Sequence, residues 1–167
     1  MYHSYICYMN SVKFTVNKAY VYDAVDETTA YIGAKTVGDE GAYERIYTTD
    51  ADRTLLENFW SEACCLANDL LKPYIIEVSD NSVSHSVSLG ANYVVTLKMP
   101  DNINLMLENT ISTSLFQYFV YSIVSKSCMV SAKQEAERYA VDADKTIKEA
   151  LRCVNHRIRP QKPTSDE

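Results

Sequence analysis

TTDADRTLLENFWSEACCLANDLL, residues 48–71, decides the class of fold. Thr49 is a residue type that caps helix N-termini, and Asp50 and Asp52 follow in the first turn, where the helix dipole favours negative charge. Leu55, Leu56, Phe59, Trp60, Ala63, Cys64, Ala67, Leu70 and Leu71 then recur at three- and four-residue steps and mark a wide apolar stripe. Pro73 stops the pattern, because its ring clashes with the preceding turn and it has no backbone N–H. A helix of this kind must bury its stripe against other elements, so the flanking sequence is read for partners.

Downstream the period changes. Val83, His85, Val87 and Leu89 alternate with serines, and Tyr93, Val95, Leu97 and Met99 alternate again after Gly90-Ala91-Asn92, which reads as a β-hairpin. A third helix is expected from about Asn104 to Ser127, with Leu107, Ile111, Leu115, Phe119 and Ile123 on one face. Apolar residues cover so much of it that it should lie at the centre of the core, with Trp60 and Phe59 against Leu115, Phe119 and Ile123. Ser131 and Gln134 have capping-box spacing and open a fourth helix through Ala136, Tyr139, Ala140, Ala143, Ile147, Ala150, Leu151 and Val154.

Upstream, residues 11–16 alternate as a strand with Val12, Phe14 and Val16 on one face. Asn17 is placed to cap a helix from about Lys18 to Ala34, whose face is Tyr22, Val25, Thr29 and Ile32. Residues 33–49 hold Gly33, Gly38 and Gly41 and read as a loop. The expected class is therefore α+β, mainly α: three to four amphipathic helices with a β-hairpin and a short N-terminal strand. Residues 1–155 form one domain, and residues 156–167 form an extended basic C-terminal arm with an acidic tip.

Composition agrees with a self-sufficient domain. The chain has 167 residues, 47% hydrophobic and 23% charged, and at this length folding buries roughly 70% of the unfolded surface. The least charged stretch, Asn109 to Ser125, is interrupted by polar residues and falls short of a membrane span. Met1 to Asn10 lacks the cations and apolar run of a secretory signal, so the chain is expected to be cytosolic when made. Five cysteines, Cys7, Cys64, Cys65, Cys128 and Cys153, have no paired spacing, and the last four, in helical patterns, read as small buried hydrophobes.

The sequence carries no recognisable catalytic or metal-binding motif. Gly33-Ala34-Lys35-Thr36 resembles the end of a phosphate-binding loop but lacks a Gly before the Lys and follows a helix. His3, His85 and His156 are far apart, without the spacing of a helical zinc site. Asp50 and Asp52 are explained by capping rather than by acid–base work. The expectation is a protein that is not an enzyme, with no cofactor and no metal.

Charge is uneven. Residues 1–144 carry 10 Lys and Arg against 19 Asp and Glu, whereas residues 145–163 carry six against one. Cations at a helix C-terminus complement its dipole. The run nonetheless continues past the helix through Arg157, Arg159 and Lys162, as a segment that docks on an acidic surface or on phosphates would.

The pattern Thr48–Leu56 running into an Ala-rich helix resembles the opening helix of head–tail connector proteins of tailed bacteriophages, the adaptor or head-completion proteins. The segment Ser114-Leu115-Phe116-Gln117-Tyr118-Phe119-Val120 is similar to their second long helix. Arg157-Ile158-Arg159-Pro160-Gln161-Lys162-Pro163 resembles the basic arm that such adaptors insert into the portal ring. Val12 to Asp52 resembles small virion genes of gut-bacterial phages. The resemblance implies a homo-oligomeric ring of about a dozen copies, bound to the portal protein on one side and to a tail or stopper protein on the other. It implies a virion-neck location, non-specific contact with packaged DNA, no membrane and no catalysis. Arg152, Arg157, Arg159 and Lys162 would be the partner-binding residues. Tail completion, a small enzyme with a site built from scattered residues, and a DNA-binding accessory module stand as alternatives.

Overall fold

The computed structural model describes residues 9–36, 38, 40–78, 91–100 and 105–156. Strand β1 (Met9–Asn17) leads directly into helix α1 (Lys18–Lys35). The short helix α2 (Ala42–Ile46) follows, then a 3-10 turn (Asp50–Asp52) and helix α3 (Arg53–Leu71). Strands β2 (Ile75–Val78) and β3 (Asn92–Pro100) precede the two longest helices, α4 (Leu105–Cys128) and α5 (Lys133–Val154). The class is the expected one: mainly helical, with a small antiparallel sheet.

Asn17 works as the sequence requires, its Oδ1 accepting from the Tyr20 N–H at 3.2 Å. The α1 face Tyr22, Val25, Thr29 and Ile32 is buried. In the sheet, ordered β1-β3-β2, Val16 lies opposite Tyr93, Phe14 opposite Val95 and Val12 opposite Leu97. The period-2 residues of both strands therefore share one face, and that face meets α4.

Helix α4 is the central element. Ile111, Leu115, Phe119, Ile123, Val124 and Cys128 have no solvent exposure. Phe119 gathers aromatic rings from two other elements: Trp60 of α3 at 4.7 Å between centroids and Tyr93 of β3 at 4.9 Å. Tyr22 of α1 meets the Trp60 ring edge-on at 6.3 Å. Tilted and edge-on geometries of this kind suit the quadrupoles of the rings. Polar tips are placed at the margin, the Tyr93 hydroxyl donating to Asn68 Oδ1 at 2.9 Å. On the far side of α4, the Ser125 hydroxyl donates to the Ala136 carbonyl of α5 at 2.8 Å.

Several sequence expectations are corrected. Residues 33–49 are not all loop: Gly33 is buried inside α1, and α2 lies within the segment. A Cβ at Gly33 would stand 2.7 Å from the Tyr43 Cα, so the glycine is there for close approach of α2. The α3 stripe is narrower than its composition, with Leu55 and Leu70 largely exposed. The capping box of Ser131 and Gln134 does not form. The Ala132 N–H instead closes on the Cys128 carbonyl at 2.8 Å, and α5 starts with Ala132 as its N-cap. The hairpin partner over residues 83–89 lies outside the described residues. Among those described, β3 pairs with β1 and with β2, a strand that the alternation missed because a bulge at Ile76 breaks it.

Two stability measurements follow. Trp60→Ala should cost about 3 to 5 kcal/mol in urea unfolding, and Phe119→Ala should couple to it in a double-mutant cycle, because the rings touch. Gly33→Ala should destabilise, although alanine in a free helix is favoured by roughly 1 kcal/mol. A stabilised Gly33→Ala protein would mean that α2 does not pack where it is placed here.

Candidate functional site

The expected partner-binding residues divide at the end of α5. Arg152 is exposed in its last turn and holds Glu149 in a fork, Nε to Oε2 at 2.8 Å and the terminal nitrogen to Oε1 at 2.5 Å. That hydrogen bonding holds the Glu149 carboxyl below its ordinary range. Lys145 pairs with Asp142 at 3.0 Å and Lys148 with Asp144 at 2.6 Å. The helical part of the basic run is thus neutralised locally by (i, i+3) and (i, i+4) pairs. Arg157, Arg159 and Lys162 lie outside the described residues. The last buried side chains of α5 are Cys153 and Val154; Asn155 and His156 are exposed. The Asn155 side chain accepts from the Tyr74 hydroxyl at 2.8 Å and donates to the Leu151 carbonyl, which finishes the helix.

The other candidate residues have structural roles. Asp52 accepts from the Thr49 backbone N–H at 2.9 Å, and Asp50 pairs with Arg53 at 3.1 Å, so both carboxylates organise the entry to α3. Lys35 and Thr36 close α1, with the Thr36 hydroxyl donating to the Ile32 carbonyl at 2.9 Å. His156 is exposed, and His3 and His85 lie outside the described residues. Among the described residues no group of three His, Cys, Asp or Glu side chains comes together to hold a metal ion, and no helix is long and apolar enough to cross a membrane.

Cys65, expected to be buried, is exposed, because it faces away from the α3 stripe, whereas the buried thiols Cys64 and Cys128 are deactivated by their surroundings. Burial pushes Cys64 up to about 12, with the neighbouring Cys65 adding to it. Burial likewise raises Cys128 to about 11, with Glu135 contributing. A thiol in this range is protonated near neutrality and is a poor nucleophile.

A polar network that the sequence did not reveal ties α1 to the connection before α3. The Thr48 hydroxyl reaches Asp26 Oδ1 at 2.5 Å, and the Thr48 N–H donates to the Thr29 hydroxyl at 3.2 Å. Arg53 lies 3.5 Å from Asp26 and over the Tyr22 ring at 5.1 Å. Lys18 pairs with Glu57 at 2.9 Å. Burial, and after it the Glu57 charge, raises the Tyr22 hydroxyl. Each charge here meets its opposite across two elements, which is what a structural interlock needs.

Among the described residues two concave surfaces differ sharply in what lines them. One is an apolar groove of about 350 Å³ across α3, α4 and α5, floored by Tyr118 and Ile147 and edged by Leu66 and Leu70, each 44% exposed. The other is a cavity of about 610 Å³ between the end of α1 and the start of α5. It brings Lys35, Lys133 and Arg138 together from positions so far apart in sequence that no motif marks them. Comparison with protein-family models, with curated proteins and with solved structures returns no match.

The raised thiol has a pH signature. Its native pKa lies above the ordinary value of 9.0, so on alkalinisation the unfolded chain releases the proton first. Stability attributable to Cys64 is therefore full below about pH 9 and is lost as pH rises toward 12. The urea midpoint should fall across this window, and less so in Cys64→Ala. Equal slopes in the two proteins would remove Cys64 from the account.

Proposed function

We propose that the chain is a structural subunit of a virion: a head–tail connector of a tailed bacteriophage, closing into a ring between portal and tail and docking through its C-terminal basic run. The observation that carries this reading is the run of cations that the sequence places after α5. Along α5 the cations Lys145, Lys148 and Arg152 each have a carboxylate partner on the same helix. Beyond the last buried turn, Arg157, Arg159 and Lys162 follow with no acidic residue before Asp166. Cations within α5 can serve the helix through its pairs and its dipole, and the sequence continues the cationic run past the end of the helix. Pro160 and Pro163 restrict the backbone there, which lowers the entropy lost on docking.

A ring subunit also needs a heterologous face that a neighbouring copy covers. The groove edged by Leu66 and Leu70 supports this reading, because contiguous apolar surface is avoided on monomers. Thirteen tyrosines in the chain fit the same reading, since tyrosine is favoured at interfaces.

The decisive measurement is mass in solution, alone and mixed with portal rings. A ring, formed alone or on the portal, is expected; a monomer under both conditions would remove the connector reading. Truncation after His156 keeps the Asn155 cap and should preserve the circular dichroism spectrum while abolishing incorporation into particles. Normal incorporation of the truncated chain would show that the basic run does not dock.

A further inference from the structure

The cavity between α1 and α5 has a volume of about 610 Å³, within the size range of sites that hold ligands. Its charge is opposite to that of the protein. Three cations, Lys35, Lys133 and Arg138, line it against one carboxylate, Glu135, on a chain whose net charge is −6. Glu135 is already engaged, 2.9 Å from Arg138. Neither Lys35 nor Lys133 is paired with a carboxylate among the described residues; Lys35 instead sits 5.7 Å over the Tyr31 ring.

The rim adds a second chemistry. Ser131 and Ala132 belong both to the cavity wall and to the turn joining α4 to α5, and the two residues before them are Met129 and Val130. Val130 is 98% exposed and Met129 is also exposed. On the α1 side, Tyr31 is exposed as well. Cations in a concavity beside a bare apolar tip make an amphipathic surface.

The geometry points to a docking site for an acidic segment of a partner protein, one that carries an apolar side chain among its carboxylates. Lys35 and Lys133 receive the carboxylates, beside Arg138 already held by Glu135, and Tyr31, with Met129 and Val130 of the adjoining turn, receives the apolar group. Charge complementarity favours a peptide over a nucleic acid. A phosphate backbone is bound by a continuous run of cations, whereas these are confined to one cavity on an acidic chain. Phosphates also offer nothing to the apolar tip. The site does not depend on the ring reading, since every residue in it belongs to one copy.

The test uses the full ¹⁵N-labelled chain and a capped hexapeptide of five glutamates and one leucine, with its glutamine counterpart and an oligothymidine as controls. The glutamate peptide should shift amides confined to the end of α1 and to Ser131–Arg138, and the glutamine peptide should not. Lys35→Glu with Lys133→Glu should weaken binding by roughly tenfold or more, because attraction becomes repulsion at two positions, with Lys35→Gln and Lys133→Gln intermediate. All four substitutions are at exposed positions, and an unchanged circular dichroism spectrum certifies the fold. The proposal is overturned if the glutamate peptide shifts nothing at these residues, if the glutamine peptide binds as well, or if the charge-reversed chain binds equally. Tighter binding of oligothymidine at the same amides would also overturn it and reassign the cavity to nucleic acid.

Discussion

Phe119 is the residue on which the elements converge. Its ring is packed by Trp60 from α3 and Tyr93 from β3, and Trp60 is in turn packed by Tyr22 from α1. Four elements separated by long stretches of chain are thereby held by one set of aromatic contacts. Large rings bury much apolar area each, and in a close-packed interior a change in one is felt by its neighbours. The sheet depends on this as well: its buried face has value only because α4 covers it.

Around this centre the polar groups tie the elements to one another. Thr48, Thr29, Asp26 and Arg53 join α1 to the entry of α3, and Lys18 with Glu57 repeats the connection one turn away. Lys126 pairs with Glu62 and ties α4 to α3. Partly exposed pairs contribute little stability each, but they specify which faces meet. The buried thiols and tyrosine hydroxyls are kept neutral by desolvation, which removes them as nucleophiles or bases at ordinary pH.

At the surface of the described residues lie an apolar groove over α3, α4 and α5 and a cationic cavity between α1 and α5, and in the sequence a basic run follows α5. The connector reading draws on the groove, on the basic run and on the resemblance in the α3, α4 and C-terminal segments. The cavity stands apart from it, because its residues come from α1 and from the first turns of α5.

The long elements were legible because periodicity is local. Residues four apart on a helix share a face whatever the rest of the chain does, so α1, α3, α4 and α5 are written in the spacing of Val25, Trp60, Phe119 and Ile147, and β1 in that of Val12, Phe14 and Val16. Capping by Asn17 and the stop at Pro73 are local for the same reason. Tertiary structure alone decided what depends on partners distant in sequence. Gly33 read as a loop glycine until Tyr43 was seen to press against it. Leu55 and Leu70 have the same side chain as Leu56 and Leu71, yet only the latter two face a neighbour. Ser131 and Gln134 have capping-box spacing, but the tight turn out of α4 placed Ala132 at the cap. Lys35 and Lys133 are almost a hundred residues apart, and only the packing of α1 and α5 around α4 makes them walls of one cavity.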